Sequence, residues 1–228
     1  MKEYIEKAMT YAEYVDLIDG LLAAGKTTGE NQSDAMVGFG KLNRQRMLRL
    51  DKTVALNEAV IAAAKSVERK LILLILTEGW CGDAAQNVPV IEKIAAESVN
   101  IETRYLLREE NPELMDRFLT GGARSIPKLI AIDAKTFDVL GNWGARPKAA
   151  QELFVEMKAR GLEKPLILEN MQRWYNADKS RSIQAEFEIL LKEWGGGNAS
   201  ARDCLEVDFA RHTDDRVDAD LPANHNAG

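Results

Sequence analysis

Apolar positions change their spacing along the chain, and the changes mark out its elements. In residues 1–56, Tyr11, Tyr14, Val15, Ile18, Leu21 and Leu22 recur at steps of three and four, which predicts a helix. Gly25 and Lys26-Thr27-Thr28-Gly29 break that pattern. Met36, Val37, Leu42, Met47, Leu48 and Leu50 predict further helix, with Gly38 and Gly40 as weak points in it. A short amphipathic helix is expected over residues 57–69. The run Leu71-Ile72-Leu73-Leu74-Ile75-Leu76 then has no polar position at all, which suits a strand buried on both faces of a sheet.

The same reading continues through the middle of the chain. Val90, Ile91, Ile94 and Ala95 share one face of a helix over residues 82–97, and Ile101 to Leu107 forms a second strand. Asn111 is a capping candidate and Pro112 a first-turn residue for a helix reaching Leu119, stopped by Gly121-Gly122. Pro127 to Asp133 and Phe137 to Leu140 are two strands joined by Ala134-Lys135-Thr136, so short a link that they must be antiparallel. A helix from Pro147 to Arg160 follows. This order is an α/β layered pattern. After Gly161 comes a long helical stretch in which Ile183, Phe187, Leu190, Leu191 and Trp194 fall on one stripe, halted by Gly195-Gly196-Gly197. The expected organisation is an N-terminal helical extension (1–56), an α/β domain (57–160), a C-terminal helical extension (161–194) and an acidic tail (195–228) that lacks the apolar residues to order itself.

Composition narrows the chemistry. The 228 residues carry a formal net charge of −6, with 29% charged and 46% hydrophobic positions. An acidic chain without clustered Lys and Arg argues against a nucleic-acid partner. A six-residue apolar run cannot cross a bilayer, so no membrane partner is expected. The first residues lack the apolar core of a secretion signal, which leads to the expectation of a cytoplasmic location. His212 and His225 both lie in the tail, which leaves no Ser-His-Asp or Cys-His pair in the body and too few ligands for a structural zinc. No metal and no cofactor are expected. With two cysteines, Cys81 and Cys204, a disulfide scaffold is excluded.

Chemistry concentrates where the buried strand gives way to a helix, at Trp80-Cys81-Gly82-Asp83-Ala84. A cysteine at a helix start meets free N–H groups and the positive end of the helix dipole, both of which favour thiolate, the nucleophile of disulfide exchange. Cys81 is therefore the candidate reactive residue. Asp83 opposes a neighbouring thiolate unless solvated, and reads as a helix cap or a surface residue. Glu78 reads as a solvated loop residue. Trp80 is expected at the rim of the site, Trp143 at the rim or in the core, and Trp174, Tyr175 and Trp194 in cores or interfaces. Nothing selects Cys204 as a second, resolving thiol.

These residues resemble the thioredoxin superfamily. Trp80, Cys81 and Gly82 match three of the five positions of its Trp-Cys-Gly-x-Cys motif, and the order strand, motif, helix is the same. Gly122-Ala123-Arg124-Ser125-Ile126-Pro127 resembles the family's Gly-x-Arg-x-Ile-Pro segment. Gly144-Ala145 resembles the small residues after its last strand, and Lys148 falls similarly in its final helix. The run from Trp80 to Pro89 is similar to a bacterial subgroup with a single cysteine. The resemblance implies a central mixed four-stranded sheet flanked by helices, with the extra terminal helices added to it. It implies that Pro127 is a cis proline beside Cys81, exposing Ile126 to pair with an extended substrate. It assigns Trp80, Gly82, Ile126 and Pro127 to substrate binding, with Asp83, Ala84 and Arg124 lining the site.

The family pattern is broken at two positions. Ala84 stands where the family has its second cysteine, and Ile75 where it has a buried Asp that assists the second attack. A conventional dithiol cycle is therefore not expected. What remains is either a monothiol that exchanges with protein thiols and disulfides or a low-molecular-weight thiol, or a module that grips a peptide without turnover. The extra helices offer surfaces for docking or for a homodimer. The motif does not match that of the single-cysteine glutaredoxins that share a cluster across a dimer.

Overall fold

The structure, a computed structural model, describes residues 1–196. The acidic tail from residue 197 onward, with Cys204 and both histidines, lies outside the described residues. Three helices come first: α1 (Lys2–Glu6), α2 (Tyr11–Ala23) and α3 (Asp34–Thr53). Then follow α4 (Glu58–Lys65), β1 (Leu71–Thr77), α5 (Gly82–Ala95), β2 (Ile101–Leu107), α6 (Pro112–Asp116), β3 (Lys128–Asp133), β4 (Val139–Gly144), α7 (Lys148–Ala159), α8 (Lys164–Asp178) and α9 (Arg181–Gly195). The strands form one mixed sheet in the order β2-β1-β3-β4, with β1 parallel to β2 and antiparallel to β3, and β3 antiparallel to β4. This is the α/β thioredoxin-like architecture.

β1 is buried along its whole length, because helices cover both faces of the sheet. α5 starts directly beyond its C-terminal end and lays Val88, Ile91 and Ile94 into the same core. That core also takes Tyr14 and Ile18 of α2, Met47 of α3, Val60 of α4, and Ile183, Phe187, Leu191 and Trp194 of α9. A Cβ at Gly40 would lie 3.0 Å from the Thr27 hydroxyl and 3.2 Å from Leu22, so the expected weak point of α3 is where that helix approaches α2 and its following loop. Thr10 closes a capping box with Glu13 at the start of α2, and Asn57 caps α4 through the Val60 N–H (2.9 Å). No helix among the described residues is long and apolar enough to cross a membrane.

Several boundaries differ from the sequence pattern, each for a local reason. α4 stops at Lys65, because Val67 turns into the core and the N–H groups of Glu68 and Arg69 donate to the Gly195 carbonyl. Asn111 does not cap α6. Its amide donates to the Leu107 carbonyl (2.8 Å), and α6 ends at Asp116 rather than Leu119. β4 runs from Val139 to Gly144 rather than from Phe137 to Leu140. Phe137 has φ of 62°, and Asp133 folds the turn by accepting the N–H groups of Lys135 (2.8 Å) and Thr136 (3.2 Å). The long helical stretch after Gly161 is two helices, parted by left-handed backbone at Lys179 (φ 53°) and Ser180 (φ 61°) with no Gly or Pro to announce it.

The C-terminal half builds a second, smaller cluster. Ala150 and Met157 of α7 pack with Ile167, Met171 and Tyr175 of α8, and Leu153, Phe154, Leu162 and Trp174 lie against them. The α7–α8 hairpin thus buries its apolar faces largely within itself.

Candidate functional site

Cys81 occupies the N-cap of α5, and its own sulfur does the capping: Sγ accepts the Ala84 N–H at 3.4 Å. The S–H donates to the Ile126 carbonyl at 3.3 Å, and the Ile126–Pro127 peptide bond is cis. The chain reversal at Gly121-Gly122 and the antiparallel pairing of β1 with β3 carry this segment back to the motif. Cys81, Gly82, Ala84, Ile126 and Pro127 therefore meet at one end of the sheet. Trp80 is half-buried beside them, with the Arg108 guanidinium 5.0 Å above its ring. Arg124 is exposed and held by Asp116 through two charge-assisted hydrogen bonds of 2.6 Å, while its carbonyl accepts from Arg108 (3.3 Å). Trp143 is a core residue, edge-on to Phe187 at 5.5 Å and bonded through Nε1 to Glu186 (2.6 Å).

Three charge readings change. Cys81 is only 7% exposed, and burial, followed by the Asp83 charge, pushes its thiol up to about 12. The Ala84 and Asp83 N–H groups and Arg146 pull the other way and are outweighed. The resting form is thus the thiol, not the thiolate expected from a helix start. Asp83 is neither a cap nor a surface residue. Its carboxylate pairs with Arg146 (Nη2–Oδ2, 2.7 Å) and accepts from the Tyr175 hydroxyl (2.8 Å), and burial still holds it above the usual carboxylate range. Glu78 is fully buried rather than solvated. One oxygen accepts the Glu109 N–H (3.0 Å), the other has no partner, and burial raises its carboxyl as well.

The surroundings bring in residues that no local motif marks. Asn43 on α3 donates to the Gly79 carbonyl (3.3 Å) and accepts from Arg46 Nη1 (2.9 Å); a Cβ at Gly82 would lie 3.6 Å from that same Arg46 nitrogen. Tyr14 of α2 bonds Thr77 (3.2 Å), and burial, with the Cys81 and Glu78 charges adding to it, raises its hydroxyl, which stays neutral. Arg146, directly after the Gly144-Ala145 pair, was the most accessible of these to sequence reasoning. Tyr175 had no signal beyond its place on an apolar helix face. Among the described residues, no group of three or more His, Cys, Asp or Glu is placed to hold a metal ion.

A family model described as thioredoxin matches residues 29–160, more than half of the chain. The chain belongs to this thioredoxin family. No curated protein matches it. Two solved structures share the fold of this family member. A protein of unknown function from Pseudomonas aeruginosa aligns with a TM-score of 0.55 at 18% identity, over 84% of this chain and 96% of that one. An HIV epitope-scaffold aligns with a TM-score of 0.50 at 20% identity, over 81% and 98%. Both alignments extend beyond the family-matched segment.

Proposed function

We propose that this thioredoxin-family chain is a monothiol protein that exchanges through Cys81, with a second thiol supplied from outside. The observation that supports this reading is the seat of the sulfur, between the Ala84 N–H at the start of α5 and the Ile126 carbonyl ahead of Pro127. In the step, Cys81 loses its proton and its sulfur attacks one sulfur of a disulfide or of a glutathionylated cysteine. A new bond joins Cys81 to that sulfur, the old S–S bond breaks, and its electron pair leaves on the second sulfur as a thiolate that takes up a proton. Ala84 offers no thiol to reverse the adduct. A glutathione-like thiol or a protein thiol then attacks it, restoring Cys81 and carrying away the disulfide. A reducing compartment such as the cytoplasm supplies that thiol.

A second reading has its own support. A thiol pushed up to about 12 is a poor nucleophile, and a cysteine that bonds the Ile126 carbonyl works equally as a packing residue. In that case the edge at Ile126 and Pro127 grips an extended peptide by strand addition, without turnover.

Intact-mass measurement separates the two. The Cys204→Ser protein is incubated with glutathione disulfide or a glutathionylated peptide, beside a second protein that also carries Cys81→Ser. One glutathione added to the first protein and none to the second is the expected result. No adduct, with equal peptide affinity in both proteins, overturns it in favour of the binding module.

A further inference from the structure

α8 lies wholly beyond residue 160, outside the segment matched by the thioredoxin family model, yet it reaches the redox motif. The Tyr175 hydroxyl donates to Asp83 Oδ1 at 2.8 Å and accepts from Asn87 Nδ2 at 3.1 Å. Asn87 also donates to the Asp83 carbonyl (2.9 Å), and Gln86 donates to Gln172 of α8 (3.0 Å). The other Asp83 oxygen is taken by Arg146, in the turn that leads into α7. Arg146 is itself fixed by α7: Nη1 donates to Gln151 (3.0 Å), and the guanidinium carbon lies 4.0 Å from the Phe154 ring centre. Its Nε is buried with no acceptor, so Arg146 keeps a donor that Asp83 does not use.

We propose that Tyr175 and Arg146 are positioning residues that hold the Asp83 carboxylate beside Cys81, so that the α7–α8 hairpin sets the reactivity of the thiol. Its biological use rests on the monothiol reading, whereas the coupling itself does not. The physical chain is short. An ionised Asp83 repels a thiolate at Cys81 and occupies the cation that would attract one. The Tyr175 hydroxyl stabilises the charged form of Asp83 and ties it to the hairpin. The other charged or titratable groups facing this pair are Arg46 of α3, beside Gly82, and Tyr14 of α2, beside Cys81. Glu78, from the loop that precedes the motif, acts on Tyr14 in turn.

The test is the pH profile of Cys81 alkylation by iodoacetamide, in a Cys204→Ser background. Asp83→Asn is expected to lower the midpoint by about one pH unit, roughly tenfold in rate below the midpoint. Tyr175→Phe is expected to move it the same way by less. The Asp83→Asn/Tyr175→Phe double variant should match Asp83→Asn, because Tyr175 acts through the carboxylate. Adding Arg146→Met to Asp83→Asn should return the midpoint toward the parent value. A loosened hairpin that merely admits water would keep it low. A Tyr175→Phe shift that survives undiminished beside Asp83→Asn overturns the proposal, as does a midpoint that no variant moves. Alkylation reads the thiol whatever its use, so these couplings without any glutathione adduct would sink the monothiol reading alone.

Discussion

Leu73, Leu74 and Ile75 of β1 are sealed from solvent between two layers of helices, whereas α7 and α8 bury their apolar side chains mainly against each other. The first region is held by hydrophobic burial that extends from α2 to α9. The second meets α5 through hydrogen bonds and an ion pair, at Gln172, Tyr175 and Arg146. Apolar burial is non-directional and roughly additive in area, so it makes a robust scaffold. Polar contacts depend on angle, charge and protonation, so they make a sensitive junction. Cys81 sits where the two regions join. The loop ahead of the motif holds a buried carboxyl, Glu78, and the motif a half-buried one, Asp83, and the two differ in partners. Asp83 has a guanidinium in direct contact, whereas one Glu78 oxygen lacks a hydrogen bond and the carboxyl feels Arg108 only at longer range.

Substitutions can break or sharpen this contrast. Leu74→Ala removes packing from the centre of β1 and should cost about 3–5 kcal/mol, read as a lower denaturation midpoint of the whole domain. Met171→Ala acts in the smaller cluster and should cost about 2 kcal/mol. Its signature is different: amide exchange should quicken in α7 and α8 before it quickens in β1 and β3. Equal quickening in both regions would show that the hairpin is part of one cooperative unit. Asn57→Ala removes the cap of α4, which packs on α9, and should cost about 1 kcal/mol of global stability by denaturant titration.

The smallest effect expected is that of Glu78→Gln, and it depends on pH. A carboxyl raised in the folded state binds more protons there than in the unfolded chain, so stability falls as pH rises past the unfolded value and levels off above the folded one. The variant removes that loss and keeps an oxygen for the Glu109 N–H. It should be more stable than the parent at pH 7 and no more stable at pH 3, as thermal melts at the two values would show. A parent that is more stable than the variant at pH 7 would mean that the Glu78 charge is compensated after all.

Much of the scaffold was legible because it obeys short-range rules. An unbroken apolar run has nowhere to go but the middle of a sheet, and Leu71–Thr77 went there. The three-and-four spacing of Val90, Ile91 and Ile94 marked α5, and the Trp80-Cys81-Gly82 motif marked its start. Two of the misplaced boundaries, the start of β4 and the break between α8 and α9, have a common cause. Phe137, Lys179 and Ser180 adopt left-handed backbone that none of their residue types favours, so turn composition gave no warning. Asn111 looked like a cap and instead satisfies a carbonyl of β2, a choice made by the strand ahead of it.

The sequence by itself determined that a lone body cysteine begins a helix after a buried strand. The resemblance to the thioredoxin superfamily adds that Ala84 and Ile75 stand where that family has its second cysteine and its buried Asp. Both are statements about residue type and order, and they need no distances. Only the tertiary structure decided the state of Cys81. Asp83 and Tyr175 stand 92 positions apart and bond at 2.8 Å. Glu78 lost its solvent because surrounding elements, the Glu109 backbone among them, close over it. Desolvation and charge pairing depend on distance in space, to which position along the chain is a poor guide, so a helix start that promises thiolate came to hold a thiol.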